Sequence, residues 1–281
     1  MPFKLYVDSR FRQDTGGGNS DSEFSIELPH PLNVKGTAFV DVVCLANSFY
    51  TIRAGENDRL HVGEIVSLVT VYRIVEIPEG QYNALSLATA LQTVLNTNRA
   101  ITGQYAVDYD VPTNKLVIQN LDTSSLFQIY PTAYLKENAA DWNALAPSTK
   151  QINALHLMDC GAIVGFAQGK SIITTSQPTN TIVAPEVVNC QPYNQLFLRS
   201  TLGDGYSAIG PRGDSDIIRR IVCTVPFNDY IHDVHGLPHD SVPIGDREFN
   251  SLTFRLTDIY GNTVNTRGHP ISFSIIFLEL D

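Results

Sequence analysis

The closing stretch, Ser251 to Asp281, constrains the fold more than any other. Leu252, Phe254 and Leu256 alternate with Thr253, Arg255 and Thr257, the period-two signature of a strand with one buried face. Asp258-Ile259-Tyr260-Gly261-Asn262 then supplies turn chemistry, and Arg267-Gly268-His269-Pro270 closes the connection. In the strand that follows, Ile271, Phe273, Ile275 and Phe277 alternate with Ser272, Ser274, Ile276 and Leu278, so its far half has two apolar faces and needs cover on both. A sheet completed by such a strand predicts a sandwich in place of a doubly wound fold.

The rest of the chain follows the same grammar. Phe3 to Val7 reads as a short strand, and Gln13 to Ser22, with Gly16-Gly17-Gly18, reads as a tether. Phe24, Ile26 and Leu28 alternate until Pro29 and Pro31 are expected to stop the strand, and the nearly continuous apolar run Thr37 to Ala46 predicts a central one. Leu60 to Val62 and Val66 to Ile77 continue the ladder. After Pro78-Glu79-Gly80, Asn83 is placed to cap a helix with Leu87, Leu91, Val94 and Leu95 on one face, ending near Asn96. Tyr105 to Val111 and Leu116 to Ile118 flank the turn Pro112-Thr113-Asn114 as a hairpin. Ser148 to Met158 predicts a second, shorter helix, with Ser148 and Gln151 as its capping box. Gly161 to Phe166, Ser171 to Thr175, Tyr193 to Ser200 and Ile217 to Val225 are the remaining expected strands. The sum is an all-β chain, a single jelly-roll sandwich with elaborated loops or a small inserted β domain and one or two short helices. The expected organisation is a flexible N-terminal arm over 1–22 and a jelly-roll domain over 23–281.

Charge narrows the function. A net charge of -10 opposes sequence-independent binding to nucleic acid, which draws its affinity from Lys and Arg on phosphates, and Arg219-Arg220 is the one candidate basic patch. Charged residues are 17% of the chain, below the usual quarter, which suits a surface packed against neighbours. No run of about eighteen apolar residues predicts a membrane span, and the N-terminus lacks a signal-peptide run, so synthesis in a cytosol is expected. Cys44, Cys160, Cys190 and Cys223 are scattered singly and read as small core residues.

The chemistry-bearing motifs are few. No phosphate-binding loop, nucleophile elbow, dinucleotide fingerprint or zincin helix is present, and no cofactor is expected. His232, His235 and His239, with Asp233, could offer three imidazoles and a carboxylate to a transition metal if Gly236 and Pro238 turn the chain; the bland reading is a solvated loop. Asp204, Asp214, Asp216 and Asp240 lack the spacing of a calcium loop. Arg212-Gly213-Asp214 is the tripeptide read by integrins, whose receptor metal takes the Asp carboxylate and whose acidic pocket takes the Arg. It lies in the glycine-rich stretch Gly203 to Asp216. Its bland reading is a polar turn leading into the strand from Ile217.

Three long stretches carry a family resemblance: FKLYVDSRFRQDTGGGNSDSEFSIELPHPL with VDVVCLANSFYTI, then YRIVEIPEGQYNALSLATALQTVLN, and finally NSLTFRLTDIYGNTVNTRGHPISFSIIF. They resemble the minor capsid (penton) proteins of polinton-like viruses, virophages and adintoviruses. The resemblance implies a jelly-roll subunit of the virion, a homopentamer at the fivefold vertices among capsomers of a double jelly-roll major capsid protein, with no catalytic residues. It also implies an outward insertion, expected within about 121–190, and gives the Arg212-Gly213-Asp214 loop a reason to face a host receptor of integrin type. Competing readings are a carbohydrate-binding jelly roll using Tyr130, Tyr134 or Trp142, a trimeric fibre or spike protein, and a metal-dependent enzyme using His232, His235 and His239.

Overall fold

The computed structural model describes residues 3–13, 20–122, 124–145, 158–176, 179–202, 209–210, 213, 216–234 and 241–279. Across them the strands in chain order are β1 (Phe3–Asp8), β2 (Glu23–Ala46), β3 (Arg59–Val66), β4 (Val69–Glu76), β5 (Tyr105–Asp110), β6 (Lys115–Asn120) and β7 (Leu126–Ile129). The later ones are β8 (Ile173–Thr174), β9 (Thr181–Val183), β10 (Gln195–Ser200), β11 (Ile217–Val222), β12 (Tyr230–Val234), β13 (Val242–Thr257) and β14 (Ile271–Glu279). Helix α1 spans Ala84–Asn96, and three shorter helices follow: α2 (Thr132–Glu137), α3 (Ala139–Leu145) and α4 (Gly161–Val164). The chain divides into two compact units, one built from Met1–Phe49 with Tyr193–Asp281 and the other from Tyr50–Pro192.

The first unit is a single wrapped sheet of antiparallel strands in the order β1-β14-β2-β13-β10-β11, with β12 also paired to β2. Strand β2 organises it. Its first half lies along β13, from Glu23 opposite Arg255 to Leu32 opposite Phe249. Its second half takes β14 on one side, with Leu45 opposite Ile271, and β12 on the other, with Leu45 opposite Ile231. The alternation seen in the sequence fills the interior: Phe24, Leu252, Phe254, Leu256, Phe273 and Ile275 are all buried in one core. The Phe254 ring meets Phe24 at 5.7 Å and Phe273 at 4.9 Å between centroids.

Pro29 and Pro31 do not end the strand as expected. Leu32 faces Phe249 and Glu27 faces Ser251, so Leu28 to Pro31 bulge out opposite Asn250 alone. A residue without a backbone N–H is tolerated where the ladder is already interrupted. The start of the segment expected to be an arm is likewise laid into the sheet: Phe3 to Asp8 pair in unbroken register with Phe277 to Ser272. Ser9 is buried, and Arg12 reaches Asp21 at 2.7 Å.

The second unit contains two sheets, β4-β3-β7-β8 and β5-β6-β9, around a separate core that includes Leu60, Val62, Leu87, Leu91, Ile118, Phe127 and Phe166. Helix α1 begins where the sequence predicts. Asn83 Oδ1 accepts from Ser86 N at 2.9 Å and Ser86 Oγ accepts from Asn83 N at 3.0 Å, a reciprocal cap. Leu87, Leu91 and Leu95 face the core as expected, with Ala88 beside them. The helix also covers a sheet edge, because Gln92 Oε1 accepts from Val107 N and Asn96 Oδ1 from Tyr105 N, both at 2.9 Å.

This unit runs from Tyr50 to Pro192, where the insertion is expected within about 121–190, and one of its elements departs from expectation. Gly161 to Phe166 is not a strand: α4 forms over Gly161–Val164 and stops at Gly165, whose φ of 89° is the left-handed conformation that closes helices. Of the helix expected over Ser148 to Met158, all but Met158 lies outside the described residues, and Met158 has a φ of 54°.

Candidate functional site

The tripeptide loop connects two neighbouring strands of the first unit, β10 and β11, which fixes its base. Ser200 N donates to the Asp216 carbonyl at 2.9 Å. Arg199 is buried, with Nη1 2.5 Å from Asp216 Oδ1 and Nε donating to Thr257 Oγ1 at 2.8 Å, and Arg255 stands 3.5 Å from the other Asp216 oxygen. A buried guanidinium held by a carboxylate at the mouth makes the loop leave and rejoin the sheet at one point. Asp216 therefore serves as an ion-pair partner of two arginines. Asp204, Asp214 and Asp240 lie outside the described residues.

Of the tripeptide, Gly213 is described and Arg212 and Asp214 are not. Gly213 is exposed with a φ of 83°, and nothing stands within 4 Å of where a side chain would begin. Its N–H donates to the Gly210 carbonyl at 3.0 Å. Ile209 is 87% exposed. Glycine is favoured at such a φ, because a Cβ would crowd the following carbonyl.

The histidine cluster is not assembled among the described residues. His232 is exposed on β12, opposite Cys44, where a polar loop had been expected, and His235 and His239 lie outside the described residues. No group of three His, Cys, Asp or Glu side chains is placed to hold a metal among those described. Arg219 is no basic patch. It is buried and forks onto Asp233, with Nε to Oδ2 at 3.0 Å and Nη2 to Oδ1 at 2.9 Å, leaving Arg220 exposed by itself. The aromatics of the sugar-binding reading are core residues of the second unit. Tyr130 and Trp142 are buried with ring centroids 4.7 Å apart, and half-buried Tyr134 packs on Tyr130 at 6.0 Å.

Sequence reasoning missed the polar groups buried in the second unit. Glu64 is fully buried on β3, ion-paired with Arg73 of β4 and accepting from the Tyr105 hydroxyl at 2.9 Å. Nearby on the same strand, His61 Nε2 lies 3.9 Å from Asp159 Oδ2, and the His61 ring meets Trp142 edge-on at 5.1 Å. Asp159 Oδ1 accepts from Thr132 Oγ1 at 2.5 Å and from Gly161 N at 2.6 Å. Desolvation pushes the Asp159 carboxyl up to about 6 against those hydrogen bonds. Desolvation, helped by the Arg59 charge, pushes His61 down to about 3. His61 sits in an apolar run between Leu60 and Val62, and no local pattern in the sequence pairs it with a residue so far along the chain.

No helix of the described residues is long and apolar enough to cross a membrane. No protein-family model matches the chain, and no curated protein does. Among solved structures, the crystal structure of the selenomethionine-labelled mavirus penton protein matches with a TM-score of 0.51 at 9% identity, covering 100% of both chains. At that identity the likeness is one of fold: a mostly β chain of penton jelly-roll type, as the alternation in Ser251 to Asp281 predicts.

Proposed function

We propose that this chain is a structural capsid protein that forms the homopentameric vertex of an icosahedral virion, seated among capsomers of a double jelly-roll major capsid protein. The observation that carries the reading is the end-to-end likeness to a penton protein, in which neither chain leaves a part unmatched. Three buried charged residues fit it, because Arg199, Arg219 and Glu64 are each engaged by a carboxylate, a guanidinium or a hydroxyl within the fold. The role is one of assembly, without catalysis or cofactor.

Native mass spectrometry with negative-stain imaging tests it. The expected result is a species of about five times the 31.0 kDa chain, seen as five-lobed rings. A monodisperse monomer at high concentration, with no pentamer in assembled particles, refutes the vertex reading. The Arg212-Gly213-Asp214 loop is the receptor-facing element of this proposal, held at its base by Arg199 and Asp216. Asp214→Glu lengthens the carboxylate by a methylene and misplaces it at a receptor metal, so cell attachment should fall while ring assembly is kept. Unchanged attachment, and no competition by soluble peptide of that sequence, makes the loop a turn only.

A further inference from the structure

Strand β1 ends the strand order of the first unit, so one long side of its backbone faces no other strand among the described residues. Natural sheets block such edges with a free charge, a proline, a bulge or a cover, because an open row of peptide groups recruits any extended chain. Two of the other sheet ends show such devices: β11 carries exposed Arg220, and β5 is covered by Gln92 and Asn96 of α1. Among the described residues, strand β1 has none of these devices. Its lysine, Lys4, is bound to Asp41 at 2.7 Å, it contains no proline, and its register with β14 is unshifted from end to end.

Beside that edge runs a groove of about 600 Å³, lined among others by Leu5, Phe11, Leu28, Pro29, Val42 and Cys44. Phe11 is 80% and Tyr6 76% exposed at its margin, an arrangement that leaves apolar area in water without return from the fold. Its charges are mostly settled, since Asp8 pairs with Arg10 at 2.6 Å and Asp41 with Lys4. Glu27, exposed on the lining, forms no ion pair among the described residues.

We propose that the β1 edge and this groove take an extended segment of another protein as an added strand, with apolar side chains at alternate positions and a lysine or arginine at the end near Glu27. Unpaired peptide groups along the edge call for a strand, alternate apolar side chains fit a groove on one face of it, and the uncompensated Glu27 sets the sign of the charge. A second copy of this chain is the poorer occupant. Pairing β1 with β1 is an isologous contact that yields dimers, whereas the ring proposed above closes by heterologous contacts; this exclusion rests on the vertex reading.

The test is a methyl NMR titration of the full chain with a capped peptide of sequence Lys-Val-Thr-Val-Thr-Val-Thr, together with hydrogen exchange. Saturable shifts are expected at the methyls of Leu5, Leu28 and Val42, with amide exchange across Phe3 to Asp8 slowed about tenfold or more at saturation. Replacing the peptide's lysine by glutamate should weaken binding several-fold, and replacing its central valine by proline should abolish it. Phe11→Glu, at a side chain outside the core, should weaken the peptide about tenfold with an unchanged melting temperature. Absent or non-saturable shifts, shifts elsewhere, or equal binding of the proline peptide overturn the proposal. So does a change in the native mass of the peptide-free protein caused by Phe11→Glu, which would make the groove a contact between copies. The titration reads the groove in a monomer as well as in a ring, so failure of the vertex reading and failure of this one are separable.

Discussion

Burial sets the protonation of Asp159 and His61 in opposite directions, and the two effects oppose each other as pH changes. Asp159 titrates at about 6 in the fold and at roughly 3.9 in an unfolded chain, so its contribution to stability is fully present below about 3.9 and is lost as pH rises through 6. His61 titrates at about 3 in the fold and at roughly 6.5 unfolded, so its contribution is present above about 6.5 and is lost as pH falls toward 3. Between pH 4 and 6.5 the slopes largely cancel. Asp159→Asn keeps an oxygen for Thr132 and Gly161 but removes the charge, so thermal melts of this variant should show stability falling on acidification below pH 6.5. His61→Phe should show the reverse, with stability falling as pH rises through 6, and two flat profiles would remove the pair from the account. At the first unit's buried ion pair, Asp233→Ala takes the forked carboxylate from the Arg219 guanidinium and should cost about 2 kcal/mol in denaturant melts. None of these pairs was legible in the sequence. Arg219 reads as a solvated strand charge because its partner lies on β12, and β12 itself is written as YIHDV, which has too little apolar alternation to announce a strand. The strand exists because Leu45 and Val43 of β2 offer it a ladder.

Elements whose signals are local were read correctly. The helix cap at Asn83 depends on residues within one turn, and Asn83→Ala should lower the second unit's stability by about 1 kcal/mol in thermal melts, with loss of helical circular dichroism. The hairpin of β3 and β4 turns through Ser67 and Leu68 with φ of 51° and 68°, a conformation that suits Asn-Gly and strains these residues. Leu68 is 97% exposed, so no packing offsets that strain. Exchanging the pair for Asn-Gly should therefore stabilise the unit by about 1–2 kcal/mol, measured as a raised denaturant midpoint with an unchanged slope. Two expectations failed for physical reasons of longer range. Prolines 29 and 31 read as strand stops, yet β13 passes them with a single residue while the ladder resumes on both sides. Gly161 to Phe166 is apolar enough for a strand, but Gly165 at a φ of 89° ends a helical turn there, and the Phe166 N–H returns to the Gly161 carbonyl at 2.7 Å.

On the scale of the whole molecule, the class was legible because alternation is strong in both halves of β2 and in β13 and β14, whereas the boundary of the second unit was not. No linker composition marks Tyr50 or Pro192, since the chain crosses between Phe49 and Tyr193, whose rings meet edge-on at 5.2 Å in the first unit's core. That crossing has a consequence for how the protein is made. The nascent second unit has every partner it needs once Pro192 is synthesised, but β2 must wait for β13 and β14 at the far end of the chain. At ordinary rates of translation the delay is on the order of ten seconds or more, during which Phe39, Val40 and Val43 have no sheet to enter. Ribosome-stalled chains ending near residue 230 should thus resist protease across Tyr50 to Pro192 and be cut between Glu23 and Ala46, with protection of β2 appearing only when Ile271 to Glu279 has emerged. Early protection of β2 would mean that it finds a substitute partner on the way. Without such a substitute, the first unit closes its sheet only after the second unit has folded.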